Sequence, residues 1–249
     1  MDRISSRKNA YIAHIRLLAA DGTYRQEQGE FVCEGTKLLR EAAASGARIT
    51  SVLWKDCGAA CPVDCGRQFI AASELFDYAS TMKNSPGPIF TVSRELPHRE
   101  SEIKNAIVLE NVQDPGNVGT VLRTANAFGI GAVVLTGDCA DPFSPKTVRA
   151  TMGAVFRQRI CHVPVGELKE WLHLSGLRLY GAALSKKAAD LRGIELDRCA
   201  VAVGSEGRGL SRELLGLCSG ELIIPMESGS ESLNAAVAAS IIMWELYRR

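Results

Sequence analysis

Two periods of apolar spacing alternate along the chain. In "SRKNAYIAHIRLLAA" the residues Ile12, Ile15 and Leu18 recur at helical spacing, so a helix is predicted there. "EFVCEG" then reads as a short strand, and "TKLLREAAASG" as a helix that a glycine closes. "RITSVLWK" and "RQFIAA" follow as strands, and "SELFDYASTM" as a helix with Ser73 placed to cap it. "GPIFTVSR" is one more strand. Such alternation predicts a layered α/β unit rather than a helical bundle.

From Asn105 onward the strands become continuous apolar runs: "AIVLE", "GAVVLT", "QRICHV", "RLYGAAL", "CAVAVG" and "ELIIPM". Helical stretches start near Asn117, Ser144, Gly166, Ser211 and Glu231. Strands apolar on both faces, with helices between them, predict a mostly parallel sheet covered on both sides. In such sheets ligands collect at the carboxyl ends of strands. Three loops at those ends are rich in small and polar residues: "DPGNVGTVLRTA" after "AIVLE", "GSEGRGLS" after "CAVAV", and "PMESGSESLN" after "ELII".

Composition adds bounds. The chain has 249 residues, 46% hydrophobic and 23% charged, enough for two ordinary domains. The polar, aperiodic stretch near Pro97 divides residues 1–97 from 105–249, with 98–104 as linker. The net charge of +1 leaves a local basic face possible. No apolar run is long enough for a bilayer, and the charged N-terminus does not resemble a signal peptide, so a cytoplasmic protein is expected. Of the eight cysteines, Cys57, Cys61 and Cys65 stand four apart, but no second pair or nearby histidine completes a zinc site. No metal is expected.

The first loop invites comparison with phosphate-binding motifs. "GNVGTV" supplies only two of the three glycines of a dinucleotide fingerprint, and no P-loop pattern occurs. Taken alone, Asn117 is equally a helix N-cap, Arg123 a solvated helix residue, and Glu206 a solvated turn residue.

Together the three loops resemble the signature motifs of the SpoU (TrmH-type) RNA ribose 2′-O-methyltransferases of the SPOUT superfamily. The first motif matches through Asp114, Pro115, Asn117, Gly119, Arg123, Ala125, Phe128 and Gly129. The second matches at Gly204, Glu206 and Gly209, and the third at Ile224, Pro225, Met226, Ser232, Leu233 and Asn234. Two departures are local: "ESG" delays a glycine after Met226, and Ala235 stands where valine is usual. The opening half resembles the family's accessory substrate-binding domain, itself similar to ribosomal proteins.

The resemblance implies an α/β fold whose C-terminal segment threads a trefoil knot, S-adenosylmethionine as cofactor, and a homodimer. It implies methyl transfer to a ribose 2′-hydroxyl in structured RNA, ribosomal RNA before tRNA, with a non-catalytic RNA-binding protein as the other reading. Arg123 is implied as the activating residue, with Asn117, Glu206, Ser232 and Asn234 around it. Gly204, Ile224, Met226 and Leu233 are implied to hold the cofactor largely through backbone groups. Arg3, Arg7, Lys8, Arg16 and Arg25 become candidates for RNA phosphate contacts.

Overall fold

The computed structural model describes residues 1–56, 63–96, 102–227 and 232–248. The chain opens with β1 (Asp2–Ile4), α1 (Ala10–Ala20), α2 (Gly22–Gln28), β2 (Glu30–Glu34), α3 (Thr36–Ala44), β3 (Ile49–Lys55), β4 (Arg67–Ala71), α4 (Ser73–Ala79) and β5 (Ile89–Ser93). It continues with β6 (Asn105–Glu110), α5 (Pro115–Ala127), β7 (Ala132–Thr136), α6 (Pro145–Thr151), β8 (Ile160–His162), α7 (Val165–Ser175) and β9 (Arg178–Ala182). Last come β10 (Ala189–Asp190), β11 (Cys199–Gly204), α8 (Arg212–Leu217), β12 (Gly220–Ile223) and α9 (Ala235–Tyr247).

Two compact units result: Met1–Pro97 with Asp141–Arg157, and His98–Ala140 with Gln158–Arg249. The segment Asp141–Arg157, which chain order assigns to the second half, thus packs with the first. Its Phe143 and Phe156 pack against Phe31, and Asp141 ion-pairs with Arg25. Apolar spacing signals that such residues are buried, not against what.

In the first unit a mixed five-stranded sheet has the order β1-β4-β3-β5-β2. The Asn9 side chain accepts the Tyr11 N–H to start α1, whose Ile12, Ile15 and Leu18 are fully buried as their spacing predicts. α2 and β1 are too short to show a period and were not expected. α2 depends on Asp21, which accepts the N–H groups of Thr23 and Tyr24, and on Gly29, whose φ of 62° ends it. Ser73 is the first residue of α4 rather than its cap, which is Ala72.

The second unit is a seven-stranded, wholly parallel sheet of order β10-β12-β9-β11-β6-β7-β8. Val201 and Val203 pack toward Val118, Leu122 and Ala239 on one face, while Ala200 and Ala202 pack toward Leu168 and Leu214 on the other. Burial on both faces is why these strands carry no alternation. From β6 the chain runs outward through β7 to β8, then returns on the other side, where β11 pairs directly with β6. The β6/β11 junction is therefore a topological switch point, where loops from adjacent strands diverge and leave a crevice.

Caps set where the helices begin. Asp114 accepts the Asn117 N–H and Pro115 occupies the first turn, so α5 starts two residues before Asn117. Asn117 is not a cap. α9 starts at Ala235 rather than near Glu231, and its cap is Asn234. Among the described residues no helix is long and apolar enough to cross a membrane.

Candidate active site

The switch point brings together three polar side chains far apart in sequence. Asn117 comes from the first turn of α5 after β6, Glu206 from the loop after β11, and Asn234 from the start of α9. Asn117 Nδ2 donates to Glu206 Oε1 at 2.9 Å, and Asn234 Nδ2 donates to the same oxygen and to Asn117 Oδ1 at 3.1 Å. The Ala235 N–H adds a longer bond to Glu206 Oε1, at 3.3 Å.

The amide orientations follow from α9. Asn234 Oδ1 accepts the N–H groups of Ala236 and Val237 as the helix cap, so Nδ2 must face Glu206 and Asn117. One residue thus starts the helix and holds the carboxylate. Three donors occupy Oε1, while Oε2 has no partner among the described residues and is left to accept from a ligand. A cavity of about 370 Å³ lies here, lined by Asn111, Gln113, Asp114, Asn117, Asp138 and Glu206 among others.

The loop carrying Glu206 is itself anchored. Ser205 and Gly209 form an isolated antiparallel bridge, with the Gly209 N–H 2.8 Å from the Ser205 carbonyl. Gly209 has a φ of 65°, and a Cβ on Gly204 would fall 2.2 Å from the Gly209 backbone. At the far side of the loop, buried Glu110 at the end of β6 accepts the Ser211 N–H at 2.7 Å. Sequence reasoning missed Glu110. Its only signal was an acid closing an otherwise apolar strand.

The remaining expected residues do not join this cluster. Arg123 is exposed on α5 and has no hydrogen-bond or ion-pair partner among the described residues. Six residues separate it from Asn117, about 120° around a helix that turns about 100° per residue. None of the hydrogen bonds of Asn117, Glu206 and Asn234 reaches Arg123 within the single chain, where helical geometry turns the two α5 residues apart. Ser232 is exposed and shows no contact with the cluster.

Gly204, Ile224, Met226 and Leu233 do not line the described cavity. Gly204 is the last residue of β11, and Ile224 packs partly buried on the core. Strand pairing stops at Ile223, so the backbone of Ile224–Met226 leaves the ladder at the carboxyl edge of the sheet. Such released backbone groups fit a ligand held by main-chain contacts.

The first unit corrects the phosphate-contact set. Arg25 is 4% exposed, paired with Asp141 at 2.7 Å and donating to the Leu18 carbonyl at 2.6 Å. It is a buried structural cation, because α2 turns it inward. Arg7 and Arg16 both lie over the Tyr78 ring, and Arg16 also donates to the Tyr78 carbonyl. Arg3 is paired with Asp56, whose carboxyl it holds below the usual range. Lys8 is exposed. Cys57 and Cys61 lie outside the described residues, Cys65 is a free thiol, and the described residues contain no metal-ligand cluster.

Residues 104–244 match the model of the SpoU rRNA Methylase family, a span that contains the Asn117, Glu206 and Asn234 cluster. The chain belongs to this family. The 23S rRNA (guanosine(2553)-2′-O)-methyltransferase RlmP of Bacillus subtilis is 32% identical, over 99% of each chain. An uncharacterized tRNA/rRNA methyltransferase of Synechocystis is 32% identical over 99% of this chain and 93% of its own. The AdoMet-bound rRNA methyltransferase from Sinorhizobium meliloti has a TM-score of 0.87 at 26% identity, covering 99% of this chain and 97% of the other. Both units of this SpoU-family chain are therefore shared with whole-length relatives.

Proposed function

We propose that this protein transfers a methyl group from S-adenosylmethionine to a ribose 2′-hydroxyl of RNA, with ribosomal RNA as the favoured class. The observation that carries the reading is the Asn117–Glu206–Asn234 cluster at the β6/β11 switch point, inside the span matched by the SpoU family. The ribosomal RNA named for the Bacillus subtilis relative and the AdoMet named for the Sinorhizobium meliloti structure support the substrate and the cofactor.

When bound, S-adenosylmethionine supplies an electrophilic methyl carbon. The backbone released after Gly204 and Ile223, with Met226 and Leu233 nearby in the chain, would hold it. Glu206 Oε2 is an acceptor for the ribose hydroxyl, and Asn117 and Asn234 fix the carboxylate by occupying Oε1. Held in place, the hydroxyl oxygen needs little reorganisation to approach the methyl carbon in line. A guanidinium stays protonated at any working pH, so Arg123 acts by stabilising developing negative charge or fixing the neighbouring phosphate. Only RNA offers the 2′-hydroxyl, so discrimination against DNA is built into the reaction.

The homodimer belongs to the same proposal. On α9, Val237, Trp244 and Tyr247 are 47%, 49% and 58% exposed, and Phe128 at the end of α5 packs with both aromatics. An aromatic patch on a helix face suits a second copy of the chain. Arg123, unpartnered on its own α5 among the described residues, would then act near the junction of two protomers. The first unit is proposed to bind the RNA.

The deciding experiment incubates the protein with radiolabelled S-adenosylmethionine and total RNA from cells lacking it, then maps ribose methylation. Label in the 2′-O position of ribosomal RNA is expected. Cofactor binding without transfer to any RNA class would leave a binding protein and overturn the enzymatic reading.

A further inference from the structure

The first unit contains a cavity of about 960 Å³ that the methyl-transfer site does not use. It opens beneath the N-terminal end of α1, over the ends of β2, β3, β4 and β5. Within the α1 face of this sheet, Leu53 and Ile89 belong to the apolar core, whereas Ser51 and Thr91, two residues along the same strands, are buried hydroxyls. The register between β3 and β5 shifts between Ile49 and Ser51, leaving Thr50 as a bulge. Normal alternation would send Thr50 and Ser51 to opposite faces. The bulge instead turns both toward Thr91.

A chain of four hydroxyls results. Tyr11 Oη lies 2.7 Å from Ser51 Oγ, Ser51 Oγ 2.5 Å from Thr91 Oγ1, and Thr91 Oγ1 2.6 Å from Thr50 Oγ1. Each hydroxyl brings one proton, and three links use three of the four. When the three links run in one direction, the remaining proton points outward at one end of the chain, Tyr11 or Thr50. Reversing the links moves that donor to the other end. The floor can therefore present a donor or an acceptor at either position.

The other walls are of different kinds. The Tyr11 and Phe69 rings pack at a tilt of 30° with centroids 4.2 Å apart, giving an aromatic side. Glu30 is held by His14 at 3.0 Å, and His14 is bonded through its other nitrogen to Tyr24. At the rim Arg48 and Arg67 are exposed, with no ion-pair partner among the described residues. A lipid would leave the hydroxyls and arginines unsatisfied. A simple anion has no use for the aromatic wall or for Glu30.

We propose that this cavity receives an unstacked nucleobase of the substrate RNA. A base has a planar face for the aromatic wall and a donor–acceptor edge for the hydroxyl floor and Glu30. Its flanking phosphates meet Arg48 and Arg67. Single-stranded RNA is read in this way, by aromatic stacking and edge hydrogen bonds. The inference rests on the proposal that the protein modifies RNA, and it names the part of the first unit that holds the substrate. A free nucleotide shares the same chemistry, so the test separates the two sources.

The full-length protein is compared with Arg48→Ala/Arg67→Ala at the rim, and with Tyr11→Phe/Thr50→Val, which removes the chain's end hydroxyls while keeping bulk. Steady-state methylation of ribosomal RNA should show KM for RNA raised about tenfold or more in each, from the loss of contacts to one base and its phosphates. The kcat at saturating RNA and the S-adenosylmethionine Kd should stay within twofold, and circular dichroism should show unchanged folding. In parallel, single-stranded RNA carrying 4-thiouridine should photocross-link to the peptides of Tyr11 or Phe69. That arm needs no methylation. If the wild type methylates no RNA yet cross-links in the cavity, the enzymatic reading fails and the pocket stands. Unchanged KM in both variants, or cross-links confined to other peptides, overturns the proposal. So does binding of guanosine or adenosine monophosphate in the cavity without any effect on RNA.

Discussion

Asn234 has two duties that one substitution can separate. Its Oδ1 caps α9 through the Ala236 N–H at 3.0 Å and the Val237 N–H at 3.2 Å, while its Nδ2 holds Glu206 and Asn117. Asn234→Asp keeps the cap, since Asp and Asn cap about equally, and adds a negative charge at the helix N-terminus worth about 0.3–1 kcal/mol. It also replaces a donor by a second carboxylate beside Glu206. Both groups are exposed, so solvent screening applies, and two charges about 3 Å apart in water repel by about 1.4 kcal/mol. These effects nearly cancel. Asn234→Asp should therefore unfold within about 1 kcal/mol of the wild type, whereas Asn234→Ala loses about 1 kcal/mol with its cap.

Activity should not follow stability. Without the Nδ2 donor and with repulsion in its place, Glu206 moves off its position, and a shift of about 1 Å can cost about 100-fold in rate. The Asp variant should lose about that much kcat/KM at pH 8. Two adjacent carboxylates cannot both ionise easily, so one binds a proton at higher pH than usual. Lowering the pH toward 5 restores an O–H donor to Glu206, and the variant's activity relative to wild type should rise. The same protonation removes the repulsion, so its relative stability should also rise as pH falls. Urea unfolding and a methyl-transfer pH profile on the same preparations give both readings. Wild-type kcat/KM at pH 8, or parallel losses of stability and activity in the Asp variant, would refute the reasoning.

Arg123→Ala should reduce transfer at least about 100-fold with the cofactor Kd within twofold; near-normal turnover would remove Arg123 from the reaction. Arg25→Ala should destabilise the protein by about 2–3 kcal/mol in urea, just below the range of about 3–5 kcal/mol for a broken fully buried pair because Asp141 is partly solvated. A change under about 0.5 kcal/mol, as expected for Lys8→Ala at the surface, would contradict that burial. Gly204→Ala places a Cβ 2.2 Å from the Gly209 backbone, so calorimetry should show weakened cofactor binding and unfolding about 1–3 kcal/mol easier. Unchanged binding would mean that the loop can shift freely. On the proposed homodimer, Trp244→Glu puts a charge in the exposed aromatic patch, so the variant should sediment as a monomer where the wild type is expected to sediment as a dimer. An unchanged dimer would place the interface elsewhere.

Much of the architecture was legible from one dimension. The spacing of Ile12, Ile15 and Leu18 and the unbroken run "CAVAVG" record which side of an element is buried, and burial is imposed position by position. The three loops announced themselves by small and polar residues after apolar strands, and their motifs identified the family before any coordinate. Ser144 and Ser211 were correctly placed at helix starts, since a cap is a local interaction. Elements too short for a period, such as β1 and β10, carried no such signal.

What chain order could not supply is adjacency. Pairing of β11 with β6 and packing of α9 on α5 make neighbours of Asn117, Glu206 and Asn234, and the strand pairing turns Glu110 into the anchor of the Glu206 loop. The fold also decided against some expectations: α2 points Arg25 into the core, and Asp141–Arg157 packs with the first unit. A helix turn separates Arg123 from Asn117 although both belong to one motif. The sequence by itself determined which apolar faces are buried, where most elements begin, and which chemistry the motifs resemble. Only the tertiary structure decided which polar groups meet, because hydrogen bonds require contact within about 3 Å and contact between distant residues depends on strand order.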